Sequence, residues 1–119
     1  MSNNAYKNIS VIFAEVEHAI YAEHICQLIY ESALQRGTGI AKRSPEYVTQ
    51  KMVEGKAVIA ICNGEFAGFS YIESWSNKQF VANSGLIVAN KYRGLGLATR
   101  IKQRIFDLSR EMFPEAKIF

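Results

Sequence analysis

The sequence predicts an α/β (α+β) fold with a mixed, largely antiparallel sheet flanked by helices on both faces. Short β-branched runs joined by tight turns fill the middle of the chain, and apolar residues recur at helical spacing on either side. The chain has 119 residues, of which 49% are hydrophobic and 21% charged. This length and composition suit one globular unit, so we expect residues 1–119 to form a single domain.

The first third of the chain predicts a strand and an amphipathic helix. Residues 9–16, ISVIFAEV, are rich in β-branched and aromatic side chains and predict the strand. The helix should run from Glu17 to Arg36 and end at Gly37, because apolar residues recur there with helical periodicity. Its expected buried face consists of Ile20, Tyr21, Ile25, Leu28, Ile29 and Leu34.

A second, shorter helix is predicted from its start and stop signals. Ser44 supplies a capping hydroxyl, and Pro45 suits the first helical position because its missing N–H costs nothing there. The helix should reach about Glu54, where Gly55 ends it.

The middle of the chain predicts a meander of three strands. Residues 56–62 and 66–75 flank Asn63 and Gly64, and Asn-Gly between apolar runs is a strong hairpin signal. A further turn leads to a third strand over residues 79–90. Aromatic side chains expected in the core or in a pocket wall are Phe66, Phe69, Tyr71, Trp75 and Phe80.

The last third predicts one more helix and one more strand. The helix should end before Pro114, with a core-facing stripe at steps of three or four residues. The stripe consists of Leu97, Ile101, Ile105, Leu108 and Met112. Residues 116–119 then begin a strand, which implies a parallel crossover from the preceding strand. Because the chain stops inside this element, we expect it to lack part of the natural protein.

Composition argues against several classes of protein. No apolar run approaches the roughly 20 residues of a membrane helix, and the N-terminus lacks a signal-peptide pattern, so we expect a cytoplasmic protein with no membrane partner. Cys26 and Cys62 stand apart from any CxxC pattern, which favours reduced thiols and no metal site. His18 and His24 are six residues apart on one predicted helix and so face different sides of it.

Basic residues gather in and after the stretch KYRGLGLATR, residues 91–100, although the net charge of the chain is only +3. These cations are Lys91, Arg93, Arg100, Lys102 and Arg104. A strand, a loop with Gly94 and Gly96, and a helix form the arrangement that directs backbone amides at an anion. The phosphate-binding patterns GxGxxG and GxxxxGK[ST] are both absent. A basic turn that merely starts the helix is the alternative.

The same loop matches Arg-x-x-Gly-x-Ala through Arg93, Gly96 and Ala98. With the order of elements around it, the sequence resembles the GCN5-related N-acetyltransferase (GNAT) superfamily, whose central motif is Gln/Arg-x-x-Gly-x-Gly/Ala. The resemblance implies an acetyl-coenzyme A site, in which loop amides bind the pyrophosphate and the preceding strand pairs with the pantetheine arm. The cofactor-binding residues it implies are Leu86, Ile87, Val88, Arg93, Gly94, Leu95, Gly96, Leu97 and Ala98.

A closer resemblance is to a bacterial GNAT subgroup associated with arginine biosynthesis and proposed to make N-acetylglutamate. It is carried by RGTGIAKRSPEY, FAGFSYIESW, FVANSGLIV and FPEAKIF, which together extend over most of the chain. It implies acetyl transfer from acetyl-coenzyme A to a small amine, such as glutamate. Members of the subgroup continue well past Phe119. Their general acid, a tyrosine, lies in that later segment, so no tyrosine of this chain is assigned the role.

Acetyl transfer needs a neutral amine, a proton acceptor and donors for the oxyanion. Many family members carry a carboxylate near the fourth strand, and the predicted fourth strand here contains none. Glu73 on the preceding strand is the nearest candidate catalytic base, with a solvated strand-end carboxylate as the alternative. Asn83 and Ser84 are candidates for orienting water or the amine, or they face solvent. The resemblance places the oxyanion donor at a backbone amide around Ile87 or Val88.

Three basic residues between the first two helices are candidates for binding the acetyl acceptor, because in the family this region lines the acceptor side of the site. They are Arg36, Lys42 and Arg43. Guanidinium groups pair with carboxylates through two hydrogen bonds, which would suit a dicarboxylic amino acid. A solvated basic loop is the alternative.

Three functions are therefore compared. The first is an acetyl-coenzyme A dependent N-acetyltransferase that acts on a small amine. The second is a non-catalytic or truncated coenzyme A-binding module of the same fold. The third, a nucleic-acid binder, has the least support because the overall charge is low and no nucleic-acid motif is present. An exposed sheet edge also makes a homodimer an expectation.

Overall fold

The computed structural model describes residues 8–37, 44–75 and 79–118. Its strands are β1 (Ile9–Phe13), β2 (Ala57–Cys62), β3 (Glu65–Trp75), β4 (Phe80–Val88) and β5 (Lys117–Ile118). Its α-helices are α1 (Ala22–Gln35), α2 (Pro45–Val53) and α3 (Leu97–Met112), and short 3-10 helices span Val16–Tyr21 and Asn90–Tyr92.

One sheet holds the strands in the order β1-β2-β3-β4-β5. Neighbours from β1 to β4 run antiparallel, whereas β5 runs parallel to β4 after the α3 crossover. The expected mixed, largely antiparallel sheet is confirmed, as is the parallel pairing at its end. The β2–β3 turn is also as predicted: Asn63 and Gly64 have φ of +53° and +79°, the signs that a type I′ turn needs at both central positions.

Helices cover both faces of this sheet, as expected. On one face α3 buries Leu97, Ile101, Ile105 and Leu108 against β2, β3 and β4. On the other face α1 and α2 bury Ile25, Val48 and Met52 against β2, β3 and β4. Burying one such aliphatic side chain contributes about 1.5–3 kcal/mol. The predicted α3 stripe is correct except at Met112, which is 37% exposed.

The first predicted helix is in fact two, and part of its expected buried face was wrong. A 3-10 helix precedes α1, so His18 and His24 lie on different helices. His18 Nδ1 accepts from the Glu15 amide at 2.9 Å, which fixes the tight start. Since a 3-10 helix has three residues per turn, it rotates Ile20 away from the face that an α-helix would give it. Ile20 is 80% exposed, and Leu34 is 59% exposed near the end of α1.

Strand β4 contains a bulge at the point where it faces α1. Phe69 pairs with Ile87 but Tyr71 pairs with Ser84, so three steps along β4 oppose two along β3. Gly85 lies in the bulge with φ +63°, a conformation that favours glycine. The bulge bends β4 and separates its two halves at the place where the strand faces α1.

Candidate functional site

The glycine loop between β4 and α3 is open to solvent. Gly94 and Gly96 have φ of +81° and +76°, and no atom of the described residues lies within 4 Å of the place where a Cβ would stand at either. Gly96 is the residue before α3, and its carbonyl accepts the first helical bond, from Arg100 N at 3.2 Å. The preceding amides of the first turn therefore have no helical acceptor and face an open loop, which is the geometry of an anion site.

The outer edge of β4 continues from this loop. Strand β5 pairs with Phe80 and Val81, so within the part of the chain that the structure describes no strand pairs with the outer edge of β4 from residue 83 to residue 88. The Ala89 amide donates to Ala67 O of β3 at 2.9 Å. Because successive peptide groups face opposite edges, the amides of Val88 and Leu86 point to the outer edge. Arg93 Nε also reaches this edge, donating to Val88 O at 3.3 Å.

A cavity of about 450 Å³ lies between β4 and α3. Its polar lining comes from Ser70, Asn83, Thr99, Lys102 and Gln103, and its apolar lining from Leu86, Ile105 and Phe106. The Ser109 hydroxyl, fully buried on α3, donates to Asn83 Oδ1 at 2.9 Å. This bond fixes the oxygen of the Asn83 amide toward the helix and leaves its NH2 group for other partners.

A second cavity, of about 370 Å³, lies on the opposite face between α1 and the β4 bulge. It is lined by Ile29, Ser32 and Arg36 of α1 and by Asn83, Ser84, Gly85, Leu86 and Ile87 of β4. Asn83 and Leu86 line both cavities. The two cavities therefore meet at β4, so molecules that entered from opposite faces of the sheet would come together beside its bulge.

Of the basic residues predicted on the acceptor side, Arg36 lines the cavity on the α1 side. Lys42 and Arg43 lie outside the described residues. Sequence reasoning assigned neither Ile29 nor Ser32 to a site, although Ser32 lies four residues before Arg36 and Ile29 three residues before Ser32, which puts them on the same side of one helix.

Glu73 lies on the α2 side of the sheet, in a cluster of polar and aromatic groups. Its carboxylate accepts a hydrogen bond from Tyr47 OH and pairs with Lys51 Nζ at 3.2 Å. Lys51 is 8% exposed, donates to Ile72 O at 3.0 Å, and stands 5.4 and 5.6 Å from the ring centroids of Tyr47 and Tyr71. Glu73 thus balances a buried cation, and it is not among the described residues that line the cavity on the α1 side.

The basic cluster of residues 91–104 is largely engaged within the protein. Lys91 pairs with Glu65 at 3.0 Å, Arg100 donates to Ile9 O at 3.1 Å, and the Arg104 guanidinium stacks 4.6 Å from the Phe13 ring centroid. With Arg93 on the β4 edge, four of the five cations have contacts to other parts of the fold. The remaining cation, Lys102, lines the cavity on the α3 side.

Two further residues beside the loop escaped sequence reasoning, because they come together from distant positions. Tyr92 is 3% exposed, and its hydroxyl donates a hydrogen bond to Glu65 just after the β2–β3 turn. This bond to Glu65, together with burial and the nearby Cys62, raises the pKa of Tyr92 far above its ordinary value. The hydrogen bond from Tyr92 and the pairing with Lys91 lower the pKa of Glu65. In the sequence, the hairpin turn directly before Glu65 and the position of Tyr92 directly before the glycine loop were the signals that could have indicated these two residues.

The predicted aromatic core residues and the two cysteines can be compared directly with the structure. Phe66, Phe69 and Tyr71 are buried in the core, as predicted, and Phe80 is half-buried; the Trp75 side chain lies outside the described part. Among the described residues no disulfide forms, and the Cys62 side chain is buried and that of Cys26 half-buried. Among residues 8–37, 44–75 and 79–118, no group of three or more His, Cys, Asp or Glu side chains is placed to hold a metal. No helix in those ranges combines the length and apolar content needed to cross a membrane.

Sequence comparison finds no family model that matches the chain and no curated protein that matches it. Comparison of structures does find matches. N-acetylglutamate synthase from Neisseria gonorrhoeae, complexed with coenzyme A and N-acetyl-glutamate, aligns with a TM-score of 0.69 at 21% identity, over 87% of this chain and 23% of that one. Diaminobutyrate acetyltransferase EctA from Paenibacillus lautus, with its substrate and coenzyme A, aligns with a TM-score of 0.65 at 15% identity, over 83% and 57%.

A third solved structure, Rv2747 from Mycobacterium tuberculosis in complex with coenzyme A and NLQ, gives a TM-score of 0.68 at 13% identity, over 92% of this chain and 61% of that one. The present chain therefore spans less than two thirds of each of these three proteins. A GNAT-family acetyltransferase from Staphylococcus aureus also matches, with a TM-score of 0.65 at 17% identity. The chain has the GNAT fold, which confirms the resemblance noted from its sequence at the level of the fold.

Proposed function

We propose that this chain is the coenzyme A-binding part of an N-acetyltransferase, which transfers the acetyl group of acetyl-coenzyme A to the amine of a small amino acid such as glutamate. The observation that carries the proposal is the open glycine loop before α3, continuous with residues 83–88 on the outer edge of β4, with which no strand of the described residues pairs. An anionic head group and an extended amide-containing arm are the two parts of coenzyme A that these features fit. Structures of the same fold contain coenzyme A, which supports the assignment.

In this proposal the pyrophosphate lies against the amides of residues 93–98, from Arg93 through Gly94, Leu95, Gly96 and Leu97 to Ala98. The α3 N-terminus adds about half a positive charge there. The pantetheine arm runs along Leu86, Ile87 and Val88 as an added strand would. The outward Val88 amide is a hydrogen-bond donor to the arm, whereas Ile87 is buried and contributes to the wall of the cavity on the α1 side.

The acceptor enters from the opposite face, through the cavity on the α1 side. Arg36 lines this cavity at the end of α1 and offers a carboxylate two parallel hydrogen bonds. Ser32, one turn earlier, lines it as well. Amino-acid ligands named with the N-acetylglutamate synthase and the diaminobutyrate acetyltransferase favour a small amino acid as the acceptor. Lys42 and Arg43 remain candidates for the second carboxylate of a glutamate.

The reaction joins the two sides at the β4 bulge. The neutral amine attacks the thioester carbonyl, a C–N bond forms, and the carbonyl oxygen becomes an oxyanion that the outward Leu86 amide, next to the bulge, stabilises. The C–S bond then breaks, the amine proton leaves to water, and the thiolate takes up a proton. Asn83 and Ser84 line the cavity where that water would lie. Glu73, held by Lys51, would act as base only through such water.

A non-catalytic coenzyme A-binding module is the second candidate. It is favoured by the position of Glu73, whose carboxylate is already engaged by Lys51 and Tyr47. The two candidates share the cofactor site and differ only in turnover, so the test begins with binding and continues with an amine panel that includes glutamate.

Calorimetry with acetyl-coenzyme A tests the cofactor site. We expect binding to survive about 0.2 M salt, whereas affinity for a nonspecific polyanion such as heparin should collapse there. Gly96→Val should abolish acetyl-coenzyme A binding, because a β-branched residue resists φ +76° and covers the loop amides. Gly55→Val is the matched control: its φ is +73°, it is equally open, and it lies after α2, away from both cavities. Equal binding by wild type and Gly96→Val would refute the loop assignment.

A further inference from the structure

The β2–β3 turn is fastened to the loop that precedes α3. Glu65 is the first residue of β3, directly after the turn, and two residues from the 3-10 helix Asn90–Tyr92 reach it. Tyr92 OH donates to the Glu65 carboxylate, and Lys91 Nζ lies 3.0 Å from the same Oε1 atom. One carboxylate oxygen therefore receives both donors.

The two donors differ in burial, and this gives them different weight. Tyr92 is 3% exposed and packs with the core on the α3 side, whereas the side chains of Lys91 and Glu65 are 66% and 54% exposed. An exposed ion pair contributes little. The buried tyrosine sets the geometry, and the lysine adds charge at the surface.

The position of Tyr92 in the chain gives this contact a consequence for the loop. Arg93, the first residue of the loop, directly follows Tyr92, and the Gly94 and Gly96 backbones are open to solvent on both sides of Leu95. A glycine-containing segment that is open to solvent has a large conformational entropy to lose when it orders around a ligand. Because Tyr92 is held in place immediately before the loop, the loop loses less conformational entropy when it orders around a ligand.

We infer that Tyr92 and Glu65 are positioning residues for the cofactor, which anchor the start of the glycine loop to the β2–β3 hairpin and so hold its amides in the binding arrangement. This inference rests on the proposed cofactor site and names residues outside it. Neither side chain touches the cofactor; each acts through the loop. Lys91, which the sequence indicated as an anion contact, instead pairs with Glu65.

The test compares two variants that each remove one hydroxyl bonded to this hairpin. Tyr92→Phe removes the hydrogen bond from Tyr92 OH to Glu65, which joins the hairpin to the start of the glycine loop. Tyr21→Phe removes the bond from Tyr21 OH to Gly64 O, 2.9 Å long, on the α1 side. Both delete a single oxygen and keep the ring, so they are matched in size and in the hairpin they affect.

For acetyl-coenzyme A we expect Tyr92→Phe to raise the Kd and the KM about five- to tenfold, which is less than the full free energy of a hydrogen bond to a charged group because the bond acts on the cofactor only through the loop. The KM of the acceptor and kcat should stay unchanged. Glu65→Gln should act in the same direction, while Tyr21→Phe should bind acetyl-coenzyme A as the wild type does. If Tyr92→Phe lowers only the melting temperature and leaves the Kd unchanged, its role is structural and the inference is wrong.

Amide hydrogen exchange of the ligand-free protein separates this inference from the proposed function. Exchange at the amides of Tyr92 and Arg93, which donate to Ala89 O and Asn90 O, should be faster in Tyr92→Phe than in the wild type, and unchanged in Tyr21→Phe. This measurement needs no cofactor. Failure of the wild type to bind acetyl-coenzyme A would refute the proposed function alone, whereas equal exchange in wild type and Tyr92→Phe would refute the anchoring role.

Discussion

The ring of Tyr71 lies directly against Gly85, at the bulge where β4 faces α1. A Cβ at Gly85 would overlap Cε1 of this ring and stand 2.7 Å from Cδ1, closer than real Cβ atoms approach. Tyr71 is fully buried and cannot turn aside, because Tyr47 packs edge-on against it with ring centroids 5.8 Å apart. The shape of the bulge, and hence of the cavity on the α1 side, depends on this contact.

Gly85→Ala should therefore destabilise the protein by about 2–4 kcal/mol, from overpacking and from strain at a positive φ. Urea unfolding measures the change. Truncating the ring in Tyr71→Leu should also destabilise, since it removes buried aromatic surface. In the double variant the two losses should sum to more than the measured total, because the smaller side chain leaves room for the new methyl. Strictly additive losses would show that the ring and the bulge are not in contact.

The ion pair of Lys51 with Glu73 should behave as a partly buried pair. Lys51→Met removes the cation and leaves the carboxylate with Tyr47 alone, and we expect a loss of about 1–3 kcal/mol. Lys51→Met combined with Glu73→Gln should recover part of that loss, because no charge is then left unpaired. A double variant less stable than Lys51→Met would contradict this account. If Glu73 is the catalytic base, Glu73→Gln should in addition lower kcat with little change in either KM.

The phenol of Tyr92 should resist ionisation at high pH. The hydrogen bond to Glu65, burial and the nearby Cys62 all raise the pKa of Tyr92. The Lys91 ammonium, 5.7 Å from the centroid of the Tyr92 ring, donates to the same Glu65 oxygen. A raised pKa means that the folded state favours the neutral phenol, so this stabilisation is complete below about pH 10 and is lost as the pH rises through the raised value. Between about pH 9.5 and 11, absorbance at 295 nm should rise equally in wild type and Tyr92→Phe. If the absorbance of Tyr92→Phe rose less than that of the wild type, by the amount that one ionising tyrosine gives, the raised pKa of Tyr92 would be contradicted.

Features encoded within a few neighbouring residues were predictable from the sequence. The Asn63–Gly64 turn, the Ser44 cap and the α3 stripe all depend on local chemistry, and the structure has each of them. The Ser44 hydroxyl, for example, accepts from the Tyr47 amide at 3.0 Å. The GNAT fold was predictable because the loop motif lies between a strand and a helix, and because the elements on both sides of it come in the order of that fold.

Features that arise from distant contacts were not predictable. Ile20 has the spacing of a core residue, but the Glu15–His18 bond starts a 3-10 helix that turns it outward. Glu65 and Tyr92 are 27 residues apart, and nothing local to either indicates the other. Periodicity shows which face of a helix is apolar; only the packed structure shows which side chains share a partner.

Arg36, in the cavity on the α1 side, allows recognition of the acceptor to be tested separately from binding of the cofactor. Arg36 lines the cavity on the α1 side and not the one beside α3. Arg36→Gln keeps much of the side-chain length but removes the charge and the paired donors, so the KM for a carboxylate-bearing amine should rise about tenfold or more. The Kd of acetyl-coenzyme A should not change. Arg36→Lys should restore charge but not paired geometry, and recover only part of the affinity. Gln35→Ala, one residue earlier on the exposed side of α1, is the control. A KM equal in wild type and Arg36→Gln would mean that Arg36 only lines a solvated edge of the cavity.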